Sequence, residues 1–362
     1  MPQQSLTPYI LLDAPIVQRN LSQLAQYTSR HGLGVRPHTK THKSTFLARM
    51  QLENGAIGLT VAKSGEAQVM AQVCNDLLMA YPAIDPARCQ ALAELAKGRT
   101  VRLAIDSTTA ADAIASAASA AGTVIGILVD LDVGLHRTGV QSAQDALALA
   151  QHISQKRGLR LDGLLFYPGQ LGLSMTDHEV ALADIDQQLA EVIDLWRRHG
   201  LEAKIVSGGS TPTAYNSHRV TRMTEIRPGT YLFNDMNCVR AGSCTLDDCA
   251  ARIITTVIST AVPDQIVLDA GSKTLTNDRC GPAPDSGHGY IVEYPNAKIT
   301  KLSEEHAQVD VTQCDRRPKV GDRVSVIPNH ICPCVNLQDT IWWREGDGSL
   351  SPLPVEARGR VY

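Results

Sequence analysis

Aromatic residues make up only 4% of this 362-residue chain, and tryptophan occurs three times. A core with so few rings has to be aliphatic and alanine-rich, as is common where helices lie against a parallel sheet. No run of about 18 apolar residues occurs, so no transmembrane helix is expected. Neither sign of charge is in clear excess: 34 Lys and Arg against 37 Asp and Glu leave a formal net charge of −3. Nucleic acid and anionic membranes both select a basic surplus, so neither is expected as a partner. The opening "MPQQSLTPYILLDAP" lacks the basic and apolar regions of a signal peptide. The nine cysteines therefore read as reduced thiols in a cytoplasm, not as a disulfide frame. Repeats and low-complexity tracts are absent too. At this length two domains are expected.

The chain does carry a regular alternation. Short apolar runs ("LGVRPHT", "AIGLTVA", "DLLMAYP", "TVRLAID", "VIGILVDLD", "LDGLLFYPG", "AKIVSGGS") are separated by helix candidates at 15–31, 64–74, 86–97, 108–121, 142–157 and 178–199. Asp13 before Pro15 and Asp85 before Pro86 are good helix entries. The last candidate repeats apolar residues at helical spacing (Val180, Leu182, Ile185, Leu189, Val192, Leu195) and stops at Gly200. Strand, helix, strand in this order implies a parallel sheet with helices outside. Seven or eight such units fit a (β/α)8 barrel over 14–245. No G-x-G-x-x-G follows the first strand, which lowers the dinucleotide-binding alternative. Beyond it, β-branched runs broken by Gly, Pro, Asn and Asp predict an antiparallel β domain over 246–362, joined by a strand from residues 1–13.

Barrel chemistry collects at the C-terminal ends of the strands. There "VRPHTKTHKS" gathers Arg36, His38, Lys40, His42 and Lys43. A lysine held among cations and partly desolvated has a lowered amine pKa, which suits Schiff-base chemistry at Lys40. The plainer reading is a solvated basic loop. "VSGGSTPT" ends a later strand with Gly208, Gly209 and Ser210, the chemistry of a phosphate cradle. "EIRPGTYLFND" adds a second glycine turn at Gly229, and late βα loops of a barrel often share one phosphate. In "VDLDVGLHRTG", Arg137 could hold a phenolate or carboxylate, or pair with Asp130 or Asp132. "IPNHICPCVNLQD" offers His330 and Cys332, which in an extended segment would point the same way and could share one metal ion. Imidazole with thiolate favours Zn²⁺ over Mg²⁺ or Ca²⁺. Against that stands a surface histidine beside a buried thiol. His288 and His306 read as turn histidines, and the remaining cysteines have no ligand spacing.

Taken in order, "RPHTKTHK", "TVAKSGEAQVM", "DVGLHRTGV", "YPGQL", "VSGGSTPT", "RPGTYLF" and "DAGSKTL" resemble the family of D-threonine aldolases and eukaryotic-type D-serine dehydratases. That family belongs to the alanine racemase-like, fold-type III pyridoxal phosphate (PLP) enzymes. The resemblance implies Lys40 as the Schiff-base lysine. It implies Gly208, Gly209, Ser210, Gly229 and Thr230 as phosphate-binding, Arg137 beside the phenolic oxygen and Tyr167 near the ring. At the metal position D-threonine aldolases resemble H-C-D-P-T-V-N-L-Y-D, with a carboxylate second ligand and a harder ion such as Mn²⁺. Cys332 here looks like the zinc-dependent D-serine dehydratases, with Zn²⁺ favoured and Mn²⁺ or Mg²⁺ as alternatives.

The implied function is a PLP- and zinc-dependent lyase on a β-hydroxy D-amino acid, foremost D-serine giving pyruvate and ammonia. Two alternatives stay open. One is a metal-dependent aldolase on D-threonine or 3-hydroxy-D-aspartate. The other is an amino-acid racemase, which would need a tyrosine such as Tyr290 or Tyr294. A non-catalytic PLP carrier would lack the C-terminal β domain. Fold-type III enzymes also imply a homodimer.

Overall fold

The computed structural model describes residues 6–171, 178–280 and 286–362. Contacts divide the chain into two units: Met1–Ser22 with Thr41–Ser44 and Thr230–Gly359, and Gln23–Lys40 with Thr45–Gly229 and Arg360–Tyr362. The chain opens on β1 (Tyr9–Asp13) and α1 (Ala14–Arg30). The expected leading strand is thus confined to Tyr9–Asp13, and residues 1–5 lie outside the described residues.

The larger unit holds eight parallel strands: β2 (Gly34–Val35), β3 (Leu59–Val61), β4 (Asp76–Met79), β5 (Thr100–Ile105), β6 (Ile125–Leu131), β7 (Leu159–Phe166), β8 (Ile205–Gly208) and β9 (Glu225–Ile226). Their order is β2-β9-β8-β7-β6-β5-β4-β3. A parallel bridge from His38 to Thr60 joins the two ends, so the sheet closes on itself. The alternating helices are α2 (Thr45–Glu53), α3 (Ser64–Met70), α4 (Pro86–Leu95), α5 (Thr108–Ala121), α6 (Ala143–Ser154) and α7 (His178–Arg198). Their starts follow local chemistry. The side chains of Asp85, Ser107 and Ser142 each accept a backbone N–H from the first turn of the helix they precede. α7 buries Leu182, Ile185, Leu189, Val192 and Trp196. Val180, counted with the apolar stripe in the sequence, faces solvent instead, 69% exposed.

Alternation along the strands sorts the barrel interior into layers. Leu78, Ala104, Leu128 and Leu165 form one buried cluster. Two residues earlier on β4 and β5 stand Asp76 and Arg102, joined in an ion pair. Two residues later come Asp130, on β6, and Tyr167, just past the end of β7. The interior therefore passes from a charged layer, through an apolar one, to a polar layer at the strands' C-terminal ends.

The other unit contains β10 (Ala251–Ser259), β11 (Gln265–Leu268), β12 (Tyr290–Ile291), β13 (Lys298–Leu302), β14 (Ala307–Asp310), β15 (Arg323–Ile327), β16 (Thr340–Arg344) and β17 (Leu350–Pro354). The sheet runs β13-β14-β11-β10-β1-β16-β17, with β15 pairing β10 and β12. Every pair is antiparallel except β1 with β16, where Leu11 faces Trp342 and Leu12 faces Trp343. Three short helices, α8 (Met236–Arg240), α9 (Ser272–Leu275) and α10 (Ile331–Asn336), interrupt it.

Candidate active site

The basic stretch at 35–44 does not point one way. Arg36 is buried, with Nε 3.0 Å from Glu225 Oε1 and Nη1 2.6 Å from Asp76 Oδ1. His42 is fully buried, and its Nδ1 accepts the Ser44 amide at 3.1 Å. Lys43 is buried in a left-handed conformation (φ 53°), and its ammonium donates to the Ala357 carbonyl at 3.4 Å. Lys40 alone among these four is exposed, in a short 3-10 turn (Thr39–Thr41) and not on a strand. The partial desolvation expected for Lys40 is therefore absent. Its three neighbours carry structural partners, and Lys40 is left as the accessible amine.

The late strand ends of the same unit provide a cradle. A Cβ on Gly208 would fall 2.1 Å from the Phe166 ring, so only glycine lets the backbone pass here. Gly209 follows with φ +77°, a conformation that side chains rarely adopt. Ser210 is buried, and its amide donates to Thr213 Oγ1 at 3.0 Å, tightening the turn. Gly229 is buried one residue past Pro228, whose carbonyl accepts the His38 amide at 3.0 Å. Arg137 does not take either ion pair offered by the sequence. Asp132 accepts from Gly134, His136 N and His136 Nδ1, and Asp130 accepts from Thr138. The Arg137 guanidinium instead lies over the Tyr167 ring, 5.0 Å from its centroid.

Two more residues belong to this layer: Arg227, missed by sequence reading, and Asp130, read there only as a possible partner of Arg137. Arg227 is 6% exposed; its Nη2 donates to the Phe166 carbonyl at 2.8 Å and its amide to the Gly208 carbonyl at 2.9 Å. Burial pulls its pKa down to about 10 despite nearby Glu225 and Asp130. Asp130 is pushed up to about 6, chiefly by burial. The "RPG" stretch drew attention to its glycine, and nothing local marks its arginine as interior.

These groups fit PLP. A turn in which Gly208 admits no Cβ and Gly209 has positive φ suits a phosphate, the cations Lys40, Arg137 and Arg227 suit a phosphate and phenolate, and Tyr167 offers an aromatic wall.

In the other unit His330 and Cys332 do come together, although the segment is not extended. His330 is the N-cap of α10 and Cys332 lies in its first turn. His330 Nδ1 stands 2.8 Å from Asp278 Oδ2. Burial works against the imidazolium, yet Cys332, Asp235 and Asp278 hold His330 up at about 9. Burial likewise opposes the thiolate, and His330 with the Thr41 hydroxyl still draws Cys332 below the ordinary thiol range. Cys332 Sγ is 3.2 Å from Thr41 Oγ1 and 3.6 Å from Thr230 Oγ1. Thr230, expected at the phosphate, thus meets the thiol. Thr41 directly follows Lys40, and Thr230 directly follows Gly229.

The helix bearing this pair is fixed by Asp235, also missed. Its buried carboxylate accepts the Cys238 and Ile331 amides, both at 3.1 Å. Cys334 turns away, its thiol within reach of the carbonyls of His330 at 3.2 Å and Leu275 at 3.4 Å, which share its one proton. Among the described residues no cluster of three or more His, Cys, Asp or Glu is set to hold a metal. The protein would supply two ligands, leaving positions open for solvent or substrate. Of the other candidates, His288 is buried, not in an exposed turn, while His306 is exposed. Tyr294 is buried under Arg316, and Tyr290 is half-buried. All nine cysteines are free thiols. No helix among the described residues is long and apolar enough to cross a membrane.

Comparison with known proteins decides the family. Residues 12–237 match the alanine racemase N-terminal domain, and residues 250–343 match a putative serine dehydratase domain. The chain belongs to the family of D-threonine aldolases and eukaryotic-type D-serine dehydratases. It is an alanine racemase-like, PLP-dependent lyase. It is 30% identical over 371 residues to the 3-hydroxy-D-aspartate aldolase of Paracoccus denitrificans, covering 98% of this chain and 93% of that one. It is 32% identical over 351 residues to the D-threo-3-hydroxyaspartate dehydratase of Delftia sp., covering 90% of each. The solved D-threonine aldolase of Filomicrobium marinum superposes with a TM-score of 0.91 at 28% identity, over 99% of this chain and 97% of that one. Similar solved structures of a D-threo-3-hydroxyaspartate dehydratase include a histidine-to-alanine mutant and a cysteine-to-alanine mutant in the metal-free form.

Proposed function

We propose that this lyase removes water from a β-hydroxy D-amino acid, with D-serine as substrate and pyruvate and ammonia as products. The observation that carries the reading is the imidazole–thiol pair of His330 and Cys332, whose thiol meets hydroxyls of the residues directly after Lys40 and Gly229. A thiolate as second ligand favours Zn²⁺ over harder ions. A similar protein solved metal-free as a cysteine mutant is a dehydratase.

Each residue then has a task. The turn of Gly208, Gly209 and Ser210, with Gly229, binds the phosphate of the cofactor. Arg137 and Tyr167 orient its ring, and Arg227 adds a buried cation beside them. PLP, when bound, supplies an electron sink for the bond broken at Cα. Lys40 Nζ anchors the cofactor and takes the Cα proton. His330 and Cys332 would hold a divalent cation, favoured as Zn²⁺, which would supply Lewis acidity toward the β-hydroxyl as it leaves. Asp278 accepts the Nδ1 proton of His330, which would leave Nε2 as the nitrogen free to ligate. Loss of the Cα proton and the hydroxyl as water leaves an enamine that hydrolyses to the 2-oxo acid and ammonia.

Aldol cleavage is the second reading, favoured by the 30% identity to an aldolase. A panel of D-serine, D-threonine and 3-hydroxy-D-aspartate, with Zn²⁺, Mn²⁺ or chelator, separates the two. Pyruvate-type acids mark elimination. Glycine from every substrate overturns it.

A further inference from the structure

Arg227 is held by an unusual link. Its Nη1 donates to Ser207 Oγ at 2.7 Å, and that hydroxyl lies 2.6 Å from Glu225 Oε1. Ser207 and Glu225 are 0% and 2% exposed. A hydroxyl has one proton to give. The Glu225 carboxylate, held by Arg36 Nε at 3.0 and 3.1 Å, can only accept. Ser207 therefore donates to Glu225 and must accept from Arg227, so the direction of both bonds is fixed.

The link continues below. Arg36 bonds Asp76, Asp76 bonds Arg102, and Arg102 bonds Asp162. Cation and anion alternate along this series, and a neutral group intervenes only at Ser207. No carboxylate among the described residues forms an ion pair with Arg227. A directly bonded carboxylate would neutralise the guanidinium and engage its forked donors. The interposed hydroxyl orients Arg227 without doing either.

We propose that Ser207, anchored by Glu225, is a positioning residue that holds Arg227 as an unpaired, oriented cation facing the cofactor. This rests on the PLP site proposed above. Its signature is electrostatic, because a fixed cation beside the lysine-bound cofactor disfavours protonation there. When Ser207 is lost the guanidinium keeps only its bond to the Phe166 carbonyl, its orientation is no longer fixed, and protonation becomes easier.

The test uses holoenzyme reconstituted with PLP and reads the pH midpoint of the visible absorption band. Ser207→Ala should raise that midpoint by about one pH unit, a tenfold change in the protonation equilibrium. In an Arg227→Met background the same change should add nothing, since Ser207 acts through Arg227. If Ser207→Ala does not fold, Ser207→Cys, of similar size but a poor acceptor, takes its place in both comparisons. An unmoved midpoint, or an equal shift in the Arg227→Met background, overturns the proposal alone. A wild-type protein that forms no visible band with PLP overturns the cofactor site and this inference together.

Discussion

Asp278 Oδ2 and His330 Nδ1 are 2.8 Å apart, from a loop after α9 and the N-cap of α10. A carboxylate behind a ligating imidazole fixes the ring and raises its basicity, and losing it costs about 10–100-fold in metal affinity. Asp278→Asn should weaken Zn²⁺ binding by that amount while the visible band of bound PLP is unchanged. Competition against a chromophoric chelator measures it. Equal affinities would reduce Asp278 to a surface partner.

Lys40 is the exposed lysine of its stretch, whereas Lys43 is buried against a carbonyl. Borohydride reduction of the PLP-loaded protein, followed by peptide mass spectrometry, should place the label on Lys40. A label on Lys43 or Lys63 would contradict the assignment.

The metal pair should matter for turnover more than for cofactor binding. Cys332→Ala and His330→Ala should each keep the visible band and lose at least about 100-fold in elimination from D-serine, as expected when a Lewis acid worth several kcal/mol is removed. Full activity in both variants and in chelator-treated enzyme would sink the metal-assisted reading.

Asp130, raised from 3.8 to about 6, predicts a pH-dependent stability. A carboxyl with a raised folded pKa keeps its proton longer in the folded chain. Its contribution is complete below the unfolded value and is lost as pH rises through the folded one. The loss is on the order of 3 kcal/mol. In the apoprotein, Asp130→Asn should therefore gain stability over wild type above about pH 7 and none below about pH 4. Denaturant melts at the two pH values give the comparison, and a pH-independent difference would count against a buried carboxyl here.

Gly163 and Gly122 both have positive φ, +152° and +70°, in different surroundings. A Cβ on Gly163 would stand 1.9 Å from the Ile205 carbonyl oxygen, and one on Gly122 meets nothing within 4 Å. Gly122→Ala should cost only the left-handed backbone term, about 1 kcal/mol. Gly163→Ala should cost at least about 3 kcal/mol, because β7 and β8 must separate as well. Similar melts for both would mean that the close approach relaxes freely.

Periodicity carried most of the fold. Alternating apolar runs located seven strand regions of the barrel, and caps such as Asp85 and Ser142 lie within one residue of the expected helix starts. Short-range signals could not say which way the cations of 35–44 point. Arg36 is drawn inward by Glu225, 189 positions away, and Lys43 by Ala357, 314 positions away. Separation in sequence also hid Asp278 and Asp235, 52 and 96 positions from His330 and Ile331, and even the 20 positions between Ser207 and Arg227 cross from one strand to the next. Each is an ordinary polar residue until a remote strand or loop arrives beside it.

β1 lies between β10 and β16, pairing with both. Its neighbours begin at Ala251 and Thr340. During synthesis the apolar Ile10, Leu11 and Leu12 therefore precede both neighbours and stay without their sheet until more than two hundred further residues have been made. An unpaired apolar strand is an aggregation hazard while it waits. At about 5–20 residues per second, that wait is on the order of ten seconds or more. A chaperone that holds nascent chains should find a binding site on this strand, long before its sheet partners have been made.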